Sequence, residues 1–151
     1  MIKAGNMIVR DPLVNGFSYD ELEIGHTAFF SKTVSEHDVY SFAGATGDFN
    51  PGHVNTEVAV LPRIASRIVH GALTAGFVST AIGTKMPGQG CLYVGQNSKF
   101  IRPVKFGDTV TVRLEIVSKD DKKRRVKIKT EVFNQHEELV LVGEADVLPK
   151  A

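Results

Sequence analysis

The sequence predicts an α+β fold in which an antiparallel sheet curls around one buried helix. Two observations carry this. Residues 91–103, 108–119, 124–135 and 138–149 are strand-like runs, the last three joined by short polar connections such as "SKDDKK" and "NQHEE". Within them Val110, Val112, Leu114 and Ile116 alternate with polar residues, as do Val126, Ile128 and Val132, so each strand has one wet face. The second observation is "GALTAGFVSTAIGTK" (71–85), apolar nearly all round yet rich in Gly, Ala, Ser and Thr. Intrinsic propensity disfavours a helix there, so a surrounding layer must bury it and reward close backbone approach.

The other elements follow in chain order. "HTAFFSKTV" (26–34) mixes aromatic and β-branched residues as a strand does. Ser35 and Asp38 form a capping-box pattern, and Val39, Phe42 and Ala43 then share a helical face until Gly44 and Gly47 end the run. Asn50-Pro51 reads as a turn, because proline fixes its own φ and moves the preceding residue out of the helical region. A short helix is expected over Thr56–Leu61, closed by Pro62. The three last strands should form an antiparallel meander.

Bulk properties narrow the function classes. The chain of 151 residues fits one domain, with residues 1–16 as an N-terminal extension, expected to be a mobile tail, and 17–151 as the domain proper. A net charge of +1 provides no long-range field for nucleic acid or anionic membrane. The basic stretch "KDDKKRRVKIK" (119–129) reads as a solvated hairpin. Cys91 is the sole cysteine, so an internal disulfide and a thiolate zinc cluster are excluded, a reducing compartment is expected, and burial suits it better than nucleophilic chemistry. No apolar run approaches the roughly eighteen residues of a spanning helix, and no secretory signal is recognisable, so a soluble protein without membrane insertion is expected.

Chemistry concentrates in "GDFNPGHVN" (47–55), where Asp48 and His53 flank a turn. A carboxylate and an imidazole that converge on one cavity can hold a water between them, one group taking its proton while the other steadies or returns one. Hydration of a double bond beside a carbonyl needs such a pair, and it also needs a stabiliser for the charge that builds on the carbonyl oxygen. Backbone N–H groups at a helix N-terminus provide one, and Gly71 stands there without a Cβ in the way. Asp and His in a loop are also ordinary capping residues; His70 reads as a turn histidine that orients the loop, and Ser79 as a helix hydroxyl bonded to a preceding carbonyl. His26, His37 and His136 lack i, i+4 partners, so no metal site is expected.

"ATGDFNPGHVNTEVA" (45–59), "IVHGALTAGFVSTAIGTKMPGQG" (68–90) and "FIRPVKFGDTVTV" (100–112) closely resemble the MaoC-like (R)-specific enoyl-CoA hydratases and 3-hydroxyacyl-thioester dehydratases, from about Phe17 to Leu148. The resemblance implies the hot-dog fold, a long central helix wrapped by an antiparallel sheet, as a homodimer with sites near the subunit interface. It implies that Asp48 and His53 are the catalytic pair, that the Gly71 N–H polarises the thioester carbonyl, that Ser79 assists, that Asn50 braces the loop and that Ile82 lines the acyl pocket. Gly52 departs from the aliphatic residue usual in relatives and should loosen the loop. No cofactor is implied; an acyl-CoA or acyl-carrier-protein thioester is the substrate. The compartment implied is the cytoplasm, or the mitochondrial matrix in a eukaryote. A hot-dog acyl-thioesterase and a non-catalytic acyl-carrier-binding subunit are the alternatives.

Overall fold

The computed structural model describes residues 2–4, 7–57 and 66–151. In chain order the elements are β1 (Ile2–Ala4), β2 (Met7–Val9), a 3-10 turn at Tyr19–Glu21, β3 (Thr27–Thr33), α1 (Glu36–Thr46), α2 (Pro51–Val54), α3 (Gly71–Thr84), β4 (Leu92–Phe100), β5 (Thr109–Asp120), β6 (Arg125–Phe133) and β7 (Leu139–Leu148). β1 pairs with β2, and the other five strands form one antiparallel sheet in the order β3-β5-β6-β7-β4. The expected meander is therefore β5-β6-β7, with β3 and β4 on opposite edges.

Alternation decides which face of the sheet is dry. Val110, Val112, Leu114 and Ile116 of β5 are fully buried, as are Ile128 and Val132 of β6, while their neighbours along each strand are only partly covered. Against that face lies α3, which buries Thr74, Phe77, Val78, Ala81 and Ile82 and touches β3, β4 and β5. The sheet covers only one side of α3. Ala72 and Ser79 stay exposed on the other, so the all-round burial implied by its composition is half met within one chain.

β4 departs from the expected alternation more strongly. Leu92, Tyr93, Val94 and Phe100 are all exposed. Among the described residues β4 pairs only with β7, and strand periodicity cannot reveal an edge.

At the N-terminus, residues 10–17 are packed rather than tail-like. The Arg10 guanidinium pairs with Glu21 at 2.9 Å, the Gln89 N–H donates to the Pro12 carbonyl at 2.8 Å, and the Phe17 N–H donates to Pro87 at 2.7 Å. A Cβ on Gly16 would stand 2.3 Å from the Gln89 carbonyl oxygen, so only glycine allows this approach. The hairpin at 119–125 is likewise engaged: Lys119 donates to the carbonyls of Tyr19 and Leu22, and Arg124 forks onto Asp20.

α1 begins as its capping box requires. The Asp38 N–H donates to Ser35 Oγ, and the Ser35 N–H donates to the Asp38 carboxylate at 2.8 Å. It runs through Gly44 and ends at Gly47, whose φ of 81° is the left-handed conformation that suits glycine. The short helix expected at Thr56–Leu61 lies mostly outside the described residues, and Thr56 and Glu57 form a turn. A helical turn not expected from the sequence forms at Pro51–Val54, because Asn50 caps it and Pro51 presets its first φ.

Candidate active site

Asp48 follows directly on the Gly47 cap. Its Oδ1 accepts the Asn50 N–H at 3.2 Å, which turns the chain, while Asn50 Oδ1 accepts the Gly52 N–H at 3.0 Å and starts α2. His53 rides on that single helical turn. Tyr40 of α1 fastens it from the other side by donating its hydroxyl to the Val54 carbonyl at 3.0 Å.

The segment before α3 ties these loops to the helix. The Ile68 N–H donates to the Gly52 carbonyl at 3.1 Å, and the Val69 N–H to Val104 at 2.8 Å. His53 Nδ1 lies 2.7 Å from the Ile68 carbonyl oxygen, which can only accept, so Nδ1 carries a proton and, in the neutral ring, the lone pair is on Nε2. A ligating atom each from Asp48, His53 and His70 then lies within 4.8 Å of the others. The pair separated by a turn in sequence thus meets in space, half-buried imidazole beside exposed carboxylate.

His70 is the member that sequence reasoning passed over as a loop histidine. Its ring is buried, 3.9 Å from the His53 ring centroid with planes inclined by 30°, and 4.8 Å from Phe42. Its position immediately before a glycine-opened helix was the available signal. This trio is the one cluster among the described residues with metal-ligand composition, but its geometry is a poor seat for an ion. His70 Nε2 faces the Asp48 carbonyl oxygen at 2.9 Å and so carries its proton, which takes that nitrogen out of the ligand set.

Beside the trio begins α3. No side chain caps its first turn, so the leading N–H groups from Gly71 on remain available. They border a cavity of about 300 Å³ lined by Ile68, Gly71, Thr74, Phe100, Arg102 and Val140 among others. A Cβ on Gly71 would come within 3.1 Å of the Phe100 ring, which shows how little room the wall leaves there.

Two residues named from the sequence lie farther off. Ser79 is exposed on the open side of α3, eight residues and therefore about 12 Å along the axis from Gly71. Ile82 is 1% exposed and belongs to the hydrophobic core beneath. Cys91 sits half-buried with its thiol directed at the Ile82 carbonyl, and burial raises its pKa, as suits an inert packing residue.

Asp48 and His53 thus converge near the start of α3, and residues 23–138 match the family model described as MaoC like domain. The chain belongs to the MaoC-like domain family. It is 40% identical over 133 residues to an (R)-specific enoyl-CoA hydratase of Rhodospirillum rubrum, covering 88% of this chain and 92% of that protein. A 3-hydroxybutyryl-CoA dehydratase of Methylorubrum extorquens is 38% identical, covering 87% and 84% of the two chains. Among solved structures, the unliganded R-hydratase PhaJ1 of Pseudomonas aeruginosa superposes with a TM-score of 0.84 at 40% identity, covering 89% of this chain and 86% of that one. The five-stranded antiparallel sheet and α3 are thus the hot-dog fold of MaoC-like proteins.

Proposed function

We propose that this protein is an (R)-specific enoyl-CoA hydratase, a hydro-lyase that interconverts trans-2-enoyl and (R)-3-hydroxyacyl thioesters. The observation that carries the proposal is the convergence of Asp48 and His53 beside the free N-terminus of α3. Water held by the pair loses a proton to it as the hydroxyl adds to C3. The Gly71 N–H polarises the thioester carbonyl and stabilises the enolate, and C2 then takes a proton. Dehydration is the reverse. One water supplies both the hydroxyl and the proton, so the atoms balance without a cofactor.

Asn50 braces the catalytic loop by capping α2. For Ser79, exposed on the open side of α3, and Ile82, buried in the core, an assisting and an acyl-pocket role rest on the family resemblance alone. A coenzyme A thioester is the substrate favoured by the names of the two bacterial relatives, while a mitochondrial relative from Arabidopsis thaliana is named a 3-hydroxyacyl-[acyl-carrier-protein] dehydratase. The protein acts as a homodimer. The unpaired edge of β4, with Leu92, Val94 and Phe100 exposed, and the uncovered side of α3 are two surfaces that a second copy would bury. No helix among the described residues is long and apolar enough to cross a membrane.

Incubation with crotonyl-CoA tests the reaction. Loss of enoyl absorbance without free thiol is expected, whereas thiol release would make the protein a thioesterase and overturn the proposal. Sedimentation equilibrium checks the dimer, and Val94→Lys is expected to shift it to monomer.

A further inference from the structure

We propose that His70 is a positioning residue that holds Asp48 and His53 in register with the N-terminus of α3; this rests on the hydratase reading above. His70 occupies the N-cap position of α3, where its own carbonyl accepts the Thr74 N–H at 3.1 Å. A capping side chain would turn back and accept from the first-turn N–H groups. The His70 ring makes no such bond. It turns instead toward the catalytic loop, so that Nε2–H donates to the Asp48 carbonyl at 2.9 Å and stands 4.0 Å from the Asp48 carboxylate.

The ring's two faces complete the arrangement. His53 stacks on it at 3.9 Å, and Phe42 of α1 packs against it at 4.8 Å. One side chain therefore touches the peptide of the carboxylate and the ring of the imidazole, while its backbone opens the helix that meets the carbonyl. α3 is anchored in the core by Thr74, Phe77 and Val78, which makes it the rigid frame against which the two loops are set.

The bonding of Nδ1 supports this assignment. It is buried and has no hydrogen-bond partner among the described residues. Leaving a buried acceptor unpaired is unfavourable, so the ring is not oriented for its own stability. The orientation present keeps the Nε2–H on Asp48.

The test compares His70→Leu, which keeps apolar volume but loses the donor, with His70→Gln, whose amide nitrogen reaches about as far as Nε2. His70→Leu is expected to lower kcat for crotonyl-CoA hydration by about a hundredfold with KM nearly unchanged, as for misplacement of catalytic groups by about 1 Å. His70→Gln is expected to recover most of that loss. Equal impairment of the two variants, or wild-type kcat in folded His70→Leu, would overturn the proposal. If His70→Leu does not fold, nitrogen NMR of the wild-type imidazoles decides: the Nε2–H tautomer of His70 is expected, and an Nδ1–H tautomer would refute it. Wild-type protein inactive on every enoyl thioester would instead remove the hydratase reading, a result distinct from an active enzyme indifferent to residue 70.

Discussion

The ring of His53 is locked to the backbone of Ile68, with Nδ1 2.7 Å from the carbonyl oxygen. That bond fixes the tautomer and presents Nε2 as a proton acceptor, and it joins a loop on one side of the site to the strand-like segment leading into α3. In the proposed mechanism Asp48 and His53 act on one water as a unit. Asp48→Asn and His53→Ala are each expected to lower kcat/KM by about a hundredfold to ten-thousandfold while circular dichroism stays unchanged. The double variant should be little worse than the poorer single one, because groups that act together are not additive. Multiplying losses would show that they serve separate steps.

Gly143 fixes how closely β4 lies on β7. A Cβ there would stand 2.0 Å from the Asn97 carbonyl oxygen, a backbone atom that cannot rotate away. Gly143→Ala is expected to destabilise the fold by about 1–3 kcal/mol, as overpacking does, and to raise hydrogen exchange along β4. Gly95→Ala on the same strand is the control, since its Cβ would meet only Asp146 Oδ2 at 3.9 Å. Equal urea midpoints for the two variants would count against this pairing.

These contrasts show which parts of the molecule local sequence could reveal. Alternation at Val110 to Ile116 and the composition of residues 71–85 report burial directly, so the sheet and α3 were legible, as was the Ser35–Asp38 capping box. Asn50-Pro51 reads as a turn in the sequence, although the same two residues also start the helical turn Pro51–Val54. Exposure of β4 depends on strand order, and the contact of residues 10–17 with Pro87 and Gln89 depends on tertiary approach; neither leaves a local periodicity. Asp48 and His53 were legible through the family pattern. His70 was not, because its part depends on which way a buried ring turns.

The N-terminal segment is fastened by a pair whose strength depends on pH. The Arg10 guanidinium, through its hydrogen bonds, and then the Ser18 N–H hold the Glu21 carboxyl down at about 2, against an ordinary 4.5. A carboxyl with a depressed folded-state pKa stabilises the protein above its ordinary value, and that stabilisation is lost as pH falls from 4.5 toward about 2. Urea midpoints are therefore expected to fall less over that window in Glu21→Gln than in wild type. The difference should shrink in high salt, since the pair is partly exposed. An identical acid decline in both proteins would mean that the pair does not hold in solution.

Gly52 stands where the family resemblance implies an aliphatic side chain, and the structure leaves room for one more carbon there. It lies in α2 without a left-handed φ, and an added Cβ would meet only Asn50 Oδ1 at 3.4 Å. Gly52→Ala is expected to stabilise by about 0.4–1 kcal/mol, chiefly by restricting the unfolded chain, and to raise Tm by about 2–4 °C at the upper figure. Turnover should be unchanged, because the bonds that hold His53 run through the Gly52 N–H and carbonyl and leave its α-carbon free. A lower Tm would show that residue 52 needs a conformation closed to alanine, and that the single helical turn carrying His53 is not the state that the protein adopts in solution.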